Sequence, residues 1–265
     1  MYNNGKWDKP KVVMYCQIGG SLDMANFSIN RAIHNSGLPK EDFDIVFLCW
    51  KTPKETYYWL GQNNFKYVEM EYDEGKGFLW NLYKGWNLGH EIGFEYADYV
   101  CPIATDHSFY KNWLANLLKN GKENRIVNCK LIEPGVLQTI HTTKNFGITN
   151  EEEFQEEDFL KYAEVLYQEG ENKLTMNAAE HGHRLDAMPF LLSRDVWEKF
   201  GPMNKWIVDE SPDPRGQYVN QITGDTDFFN RCESGGVEVT KALDAISYHC
   251  GGVETRRNQQ KGIYT

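Results

Sequence analysis

The sequence predicts a single α/β domain: a central, mostly parallel, Rossmann-like sheet with helices packed on its faces. Three observations carry this. Continuous apolar runs, "KVVMYCQI" (11–18), "FDIVFLCW" (43–50) and "DYVCPIA" (98–104), read as strands buried on both faces, which is the habit of parallel sheets. Helical stripes alternate with them, giving β-α-β order. Finally, 265 residues of which 41% are hydrophobic and 14% aromatic can fill one large core, and no eighteen-residue apolar window suggests a membrane span.

Taken in order, the first strand leads to "SLDMANFSINRAIHNSG", where Leu22, Ala25, Ile29, Ala32 and Ile33 share a helical stripe closed by Gly37. The strand at 43–50 is followed by a short helix, "KETYYWLGQNN", and a third strand, "FKYVEMEY" (65–72). A helix over 79–96 precedes the fourth strand. In open sheets of this kind ligands gather beyond the carboxyl ends of the strands, so loops 16–23, 50–54, 73–78 and 104–108 are expected to face one crevice. Downstream, "FYKNWLANLLKNG" places Tyr110, Trp113, Leu114 and Leu117 at helical spacing, and 124–132 reads as a strand. An amphipathic helix with Thr149 as its N-cap presents Phe159, Tyr162, Ala163 and Leu166. Acids in its first turn suit the positive end of the helix dipole. "AMPFLLSRDVWEKFGPM" reads as strand, helix and turn, "GDTDFFNRCESGG" as a helix, and "VEVTKALDAISYHCGG" as one or two closing strands.

A net charge of −10 argues against broad attraction to nucleic-acid backbones or anionic membranes. The acids concentrate in 151–171, and "ETRRNQQKG" (254–262) is the clearest basic cluster. Six cysteines without CxxC spacing are expected to be buried free thiols. With no signal pattern in "MYNNGKWDKPK", these features predict a soluble, cytoplasmic chain.

Chemistry-bearing residues collect at the strand ends. In "YVCPIATDHSF" a carboxylate, Asp106, sits beside an imidazole, His107, where the fourth apolar run breaks. This is either a metal site or a polar turn. "YCQIGGSLD" lacks GxGxxG spacing, and no Walker P-loop occurs. "HGHR" (181–184) pairs two imidazoles, but a zinc site there needs further ligands with no obvious source.

The segment "KGWNLGHEIGFEYADYVCPIATDHSF" (84–109) resembles the helix and acidic strand end of GT-A-fold glycosyltransferases, particularly the inverting family 2-like group. Asn87-Leu88-Gly89 parallels Asn-x-Gly, Ala104-Thr105-Asp106 parallels a DxD-type motif whose first acid is absent, and "GKGF" (75–78) precedes the helix. Three later segments are similar to the same family: "MPFLLSRDVWEKFGPMN" (188–204) to its acceptor-side strand and helix, "GDTDFFNRCESGG" (224–236) to its ED-x-D-(x)3-R helix entry, and "ISYHCGG" (246–252) to its late strand ending in His.

The resemblance implies a GT-A-like domain over 1–265: a nucleotide-sugar half at about 11–128, an acidic helical insertion at about 133–186, and an acceptor half with a C-terminal tail at about 187–265. It implies transfer of a sugar from a nucleoside diphosphate to an acceptor hydroxyl, with inversion and with Mn2+ or Mg2+. Asp106 is the metal and diphosphate candidate, joined by His107 and His249, whose nitrogens suit manganese better than magnesium. Asp225 is the base candidate, with the competing role of helix cap, and Asp227 is its runner-up. Cys16, Gly19, Asn87, Thr105 and Arg256 are implied on the donor side, with Arg257 and Lys261 in the same tail. Trp50 is either a base-stacking residue or core filler. Acceptor contacts are expected from His183, Asp209 and Arg231, with His181, Glu180 and Glu210 nearby. Two rival readings remain: a sugar nucleotidyltransferase, and a sugar- or nucleotide-binding protein without catalysis.

Overall fold

The structure, a computed structural model, describes residues 10–19, 22–133, 142–148, 151–176, 188–205 and 224–249. Its strands are β1 (Val12–Ile18), β2 (Phe43–Cys49), β3 (Lys66–Glu69), β4 (Tyr99–Ile103), β5 (His107–Phe109), β6 (Arg125–Glu133), β7 (Thr142–Thr143), β8 (Leu174–Met176), β9 (Phe190–Ser193) and β10 (Glu238–His249). The helices are α1 (Leu22–His34), α2 (Lys54–Gln62), α3 (Phe78–Tyr96), α4 (Trp113–Asn120), α5 (Glu156–Gly170), α6 (Arg194–Phe200) and α7 (Gly224–Ser234). All belong to one sheet system in the order β3-β2-β1-β4-β9-β6-β10-β5, with β7 beside β6 and β8 beside β10.

Only β5, β8 and β9 run against the rest. Two antiparallel steps through β9 restore the original direction, so β6 and β10 end at the same edge of the sheet as β1 and β4. The expected mostly parallel α/β architecture is therefore present.

Continuous apolar strands follow from a sheet covered on both sides. Along β1, Val12, Met14, Cys16 and Ile18 join Ala25, Ile29 and Ala32 of α1 in one core cluster, while Val13 and Tyr15 join Tyr83 and Trp86 of α3 in the other. Burying one such aliphatic side chain contributes about 1.5–3 kcal/mol, so the two faces hold the layers together. α3 lies unusually close to the sheet. A Cβ at Gly85, Gly89 or Gly93 would fall 2.3, 2.5 and 2.6 Å from Gln17, Tyr15 and Val100, respectively. These three positions recur every four residues and so share one helix face.

A third cluster packs Phe159, Ala163 and Leu166 of α5 against Ile246 and Tyr248 of β10. The acidic start of α5 is tied down as well: Arg31 of α1 pairs with Glu151 and Glu156 at 3.1 and 2.9 Å. β10 bulges between Ala242 and Ile246, where its register against β6 shifts. The bulge is clamped from outside, with Asn116 Nδ2 donating to the Asp244 carbonyl and the Asn172 amide donating to the Asp244 carboxylate.

Three local expectations are corrected. Residues 107–109 form a strand against β10 instead of continuing a crevice loop. The acidic helix begins at Glu156, with Gln155 at the cap position; Thr149 lies outside the described residues. β3 is confined to Lys66–Glu69, its pairing with β2 ending at Cys49. Five cysteines, Cys16, Cys49, Cys101, Cys129 and Cys232, are buried free thiols, and Cys250 lies outside the described residues. Among the described residues no helix is long and apolar enough to cross a membrane.

The core also holds a titratable group. His90 is fully buried on α3, its ring 4.4 Å from Trp197 and nearly parallel to it, with Nδ1 2.8 Å from the Trp86 carbonyl. Burial pushes its pKa down to about 3. The unfolded chain takes up this proton near pH 6.5, whereas the folded chain refuses it until about pH 3. Stability from neutral His90 is thus complete above pH 6.5 and is lost as pH falls toward 3, by up to about 1.4 kcal/mol per pH unit. His90→Phe is expected to give a shallower acid loss than wild type in denaturant melts between pH 7 and 5; parallel curves would refute it. Gly89→Ala is expected to lower stability by about 1–3 kcal/mol, because overpacking against Tyr15 outweighs the gain of about 1 kcal/mol in helix propensity. An urea midpoint at or above that of wild type would refute the close-approach argument.

Candidate active site

The site is assembled where β4, β6 and β10 end together. Beyond Ile103 the chain turns through Ala104–Asp106 into β5, whose antiparallel pairing puts His107 opposite His249. The Thr105 carbonyl in this turn accepts a hydrogen bond from Ser28 of α1. The two imidazoles stack with centroids 4.7 Å apart and planes inclined by 23°. His249 Nε2 lies 3.2 Å from Asp106 Oδ2, and His107 Nε2 lies 3.8 Å from Asp106 Oδ1.

Each ring is tied back through its other nitrogen. His249 Nδ1 donates to Glu133 Oε1 at 2.9 Å, and His107 Nδ1 is 2.8 Å from Ser247 Oγ. Both partners come from the strand pattern. Glu133 closes β6, and Ser247 sits two residues before His249, on the same face of β10. Glu133, Ser247 and His107 are all buried.

The electrostatics follow from this packing. Burial disfavours a charge on His249, but the carboxylates of Asp106 and Glu133 outweigh it and push its pKa up to about 10. Burial likewise opposes ionisation of Asp106, yet the charge and hydrogen bond of His249, helped by His107, hold its carboxyl well below the usual range. His107 goes the other way: burial, reinforced by the neighbouring His249 charge, pushes it down to about 3. The arrangement is thus an imidazolium between two carboxylates beside a neutral imidazole.

These residues fit a divalent cation. One ligand atom each from Asp106, His107 and His249 lies within 4.8 Å of the others, and a carboxylate with two imidazole nitrogens is a donor set for a transition metal. Binding would displace the proton on His249 Nε2.

A second acidic centre opens α7. Asp225 Oδ1 accepts from Tyr83 Oη at 2.8 Å and from the Thr226 amide at 2.9 Å. Tyr83 stands in the second turn of α3, which begins at the carboxyl ends of the strands. Gly224, where the family-like pattern has Glu, has no room for a side chain: a Cβ would lie 2.3 Å from the Asn204 carbonyl and 3.1 Å from the Tyr83 ring. Asp227 is committed to Arg231, 3.0 Å away.

Several residues expected to contact ligands have partners within the fold. Arg231 is an internal strut, donating to the carbonyls of Phe200 and Pro202 as well as to Asp227. The Asn87 amide is used at both ends: Nδ2 donates to the Met203 carbonyl and Oδ1 accepts from the Met203 amide, each at 2.9 Å. Cys16 is fully buried among apolar side chains. Trp50 is 5% exposed and stacks on Tyr72 at 5.1 Å, with Gly19 packed against its indole. Arg256, Arg257, Lys261, His181, His183, Glu180, Asp209 and Glu210 lie outside the described residues.

The sequence reading missed Tyr83, Glu133 and Ser247. Ser247 was recoverable from period two before His249, and Glu133 from its place as the acid closing an apolar strand. Tyr83 gave no signal, since its role depends on a residue 142 positions away.

Comparison of the sequence alone finds no matching family model and no matching curated protein. Comparison of the structure does find relatives. GalNAc-T7, solved with UDP, GalNAc and Mn2+, superposes with a TM-score of 0.58 over 91% of this chain and 44% of its own, at 9% identity. S. aureus TarS gives a TM-score of 0.60 over 91% of this chain and 36% of its own, at 11% identity. Both are GT-A-type glycosyltransferases, and the fold of this chain is of that type. The chain spans less than half the length of either.

The bonding of Asn87 supplies a test. Asn87→Ala leaves two main-chain groups of a buried residue without partners and is expected to reduce stability by about 1–3 kcal/mol. If bonding Met203 is the whole role of Asn87, the response of the folded variant to nucleotide-sugars matches that of wild type; a selective loss of nucleotide-sugar binding would place Asn87 at a ligand as well.

Proposed function

We propose that the chain is a glycosyltransferase domain that moves a sugar from a nucleoside diphosphate to an acceptor hydroxyl, with inversion and with a divalent cation. The observation that carries the reading is the convergence of Asp106, His107 and His249 at the strand ends of a GT-A-type sheet. In this reading residues of about 11–128 serve the donor, and those of about 187–265 serve the acceptor.

Asp225 is the proposed base. Its Oδ1 is held by Tyr83 and the Thr226 amide, which fixes the carboxylate at the start of α7. The acceptor hydroxyl attacks the anomeric carbon; as that C–O bond forms, the bond to the diphosphate oxygen breaks, and the hydroxyl proton passes to Asp225. Charge accumulates on the departing diphosphate. A cation held by Asp106, His107 and His249 would supply Lewis-acid neutralisation there. Asp227 cannot substitute easily as base, because its charge is engaged by Arg231. The GalNAc-T7 structure contains UDP, a sugar and Mn2+, which supports the same ligand classes here.

A thermal-shift screen of nucleotide-sugars with and without Mn2+ tests the donor and cation together. A cognate donor at a hundred times its Kd adds about 2.7 kcal/mol, raising the Tm by roughly 5–10 °C. Asp225→Asn is expected to lower turnover about 10²–10⁴-fold while keeping that shift. Asp106→Asn should diminish the shift itself. A binding shift with no transfer to any acceptor would favour the non-catalytic alternative, and no shift from any donor would sink the proposal.

A further inference from the structure

One or two carboxylates together with the substrate's phosphates are the usual hold on a divalent cation beside a diphosphate, and among the three converging side chains only Asp106 supplies one. Ala104, two residues earlier on the same strand end, contributes none. The structure nevertheless places a second buried carboxylate one residue behind the cluster. Glu133 ends β6, is 4% exposed, and accepts from His249 Nδ1 at 2.9 Å. The opposite nitrogen of that ring faces Asp106 at 3.2 Å.

Resting on the cation reading above, we propose that Glu133 is a positioning residue that delivers the site's second negative charge through the His249 ring. The geometry distinguishes this from simple ring support. His107 has an equivalent tie through Nδ1, but to Ser247, a neutral hydroxyl. One histidine is therefore oriented by a dipole and the other by a full charge, although a serine would suffice to fix either ring. A carboxylate on Nδ1 makes Nε2 a stronger electron donor, and outer partners of this kind typically alter metal affinity 10–100-fold. With Nδ1 occupied, Nε2 is the nitrogen left to face Asp106. Because Glu133 meets the ring at Nδ1, on the side away from Asp106, it adds charge without taking a coordination position from diphosphate oxygens.

The experiment measures Mn2+ affinity by calorimetry, and by the electron paramagnetic resonance signal of free Mn2+, with no donor or acceptor present. Glu133→Gln preserves the shape and an oxygen for His249 Nδ1–H while deleting the charge. It should bind Mn2+ 10–100-fold more weakly than wild type. Far-UV circular dichroism and gel filtration establish that it is folded. Adding Ala104→Asp to Glu133→Gln, which restores a carboxylate from the other side, should recover at least tenfold of the loss. Ser247→Ala should weaken binding less than Glu133→Gln does. Equal affinity of wild type and Glu133→Gln overturns the proposal while leaving the cation site standing. Loss in Glu133→Gln without recovery by Ala104→Asp overturns the charge assignment. Absence of Mn2+ binding by wild type overturns both this proposal and the cation reading beneath it.

Discussion

The close approach of α3 to the sheet is the constraint on which the rest of the structure depends. Gly85, Gly89 and Gly93 let the helix backbone settle onto Gln17, Tyr15 and Val100, where any Cβ would collide. That distance then determines where the polar residues of α3 reach. Asn87 grips the main chain of Met203, and Tyr83 meets Asp225, so one helix locks both the turn after α6 and the entrance to α7. A helix held a few ångströms farther out would lose these bonds, because hydrogen bonds weaken steeply with distance.

At the opposite flank of the strand ends, the sheet itself does the positioning. β5 has three residues, too few to be stable alone, but pairing with β10 fixes His107 opposite His249. The charges of Asp106, His249 and Glu133 form one line through the two nitrogens of a single ring, and the low dielectric around its buried end at Glu133 strengthens the link there. That line is the electrostatic counterpart of the α3 clamp: α3 orients the carboxylate proposed to take a proton, and β10 orients the groups proposed to face the diphosphate.

The layered architecture was legible in the sequence because strands covered on both faces need unbroken apolar runs, as in β1, β2 and β4. β5 was not legible. Three residues that include His107 and Ser108 carry no period, and their strand character comes entirely from β10. Polar residues were the harder case. Asn87 and Arg231 stand in family-like motifs, and their bonds to nearby backbone groups are revealed only by the paths of Met203, Phe200 and Pro202. Glu133 was assigned to the start of an insertion because the strand was ended one residue early. Asp106, His107 and His249 could each be singled out from strand-end position, but their mutual distances required the register of β5 on β10.

The bulge in β10 gives this register an unusual origin. Between Ala242 and Ile246 the strand carries Leu243, Asp244 and Ala245 while β6 advances from Cys129 to Lys130. Everything beyond the bulge, including Ser247 and His249, takes its face of the sheet from the number of residues in that excursion. Removing one residue there would turn Tyr248 toward Asp106 and His249 away, with no change of residue type at the site. The chemistry of the strand end is thus written partly in a length, and the clamps from Asn116 and Asn172 on Asp244 are what keep that length counted the same way in every folded molecule.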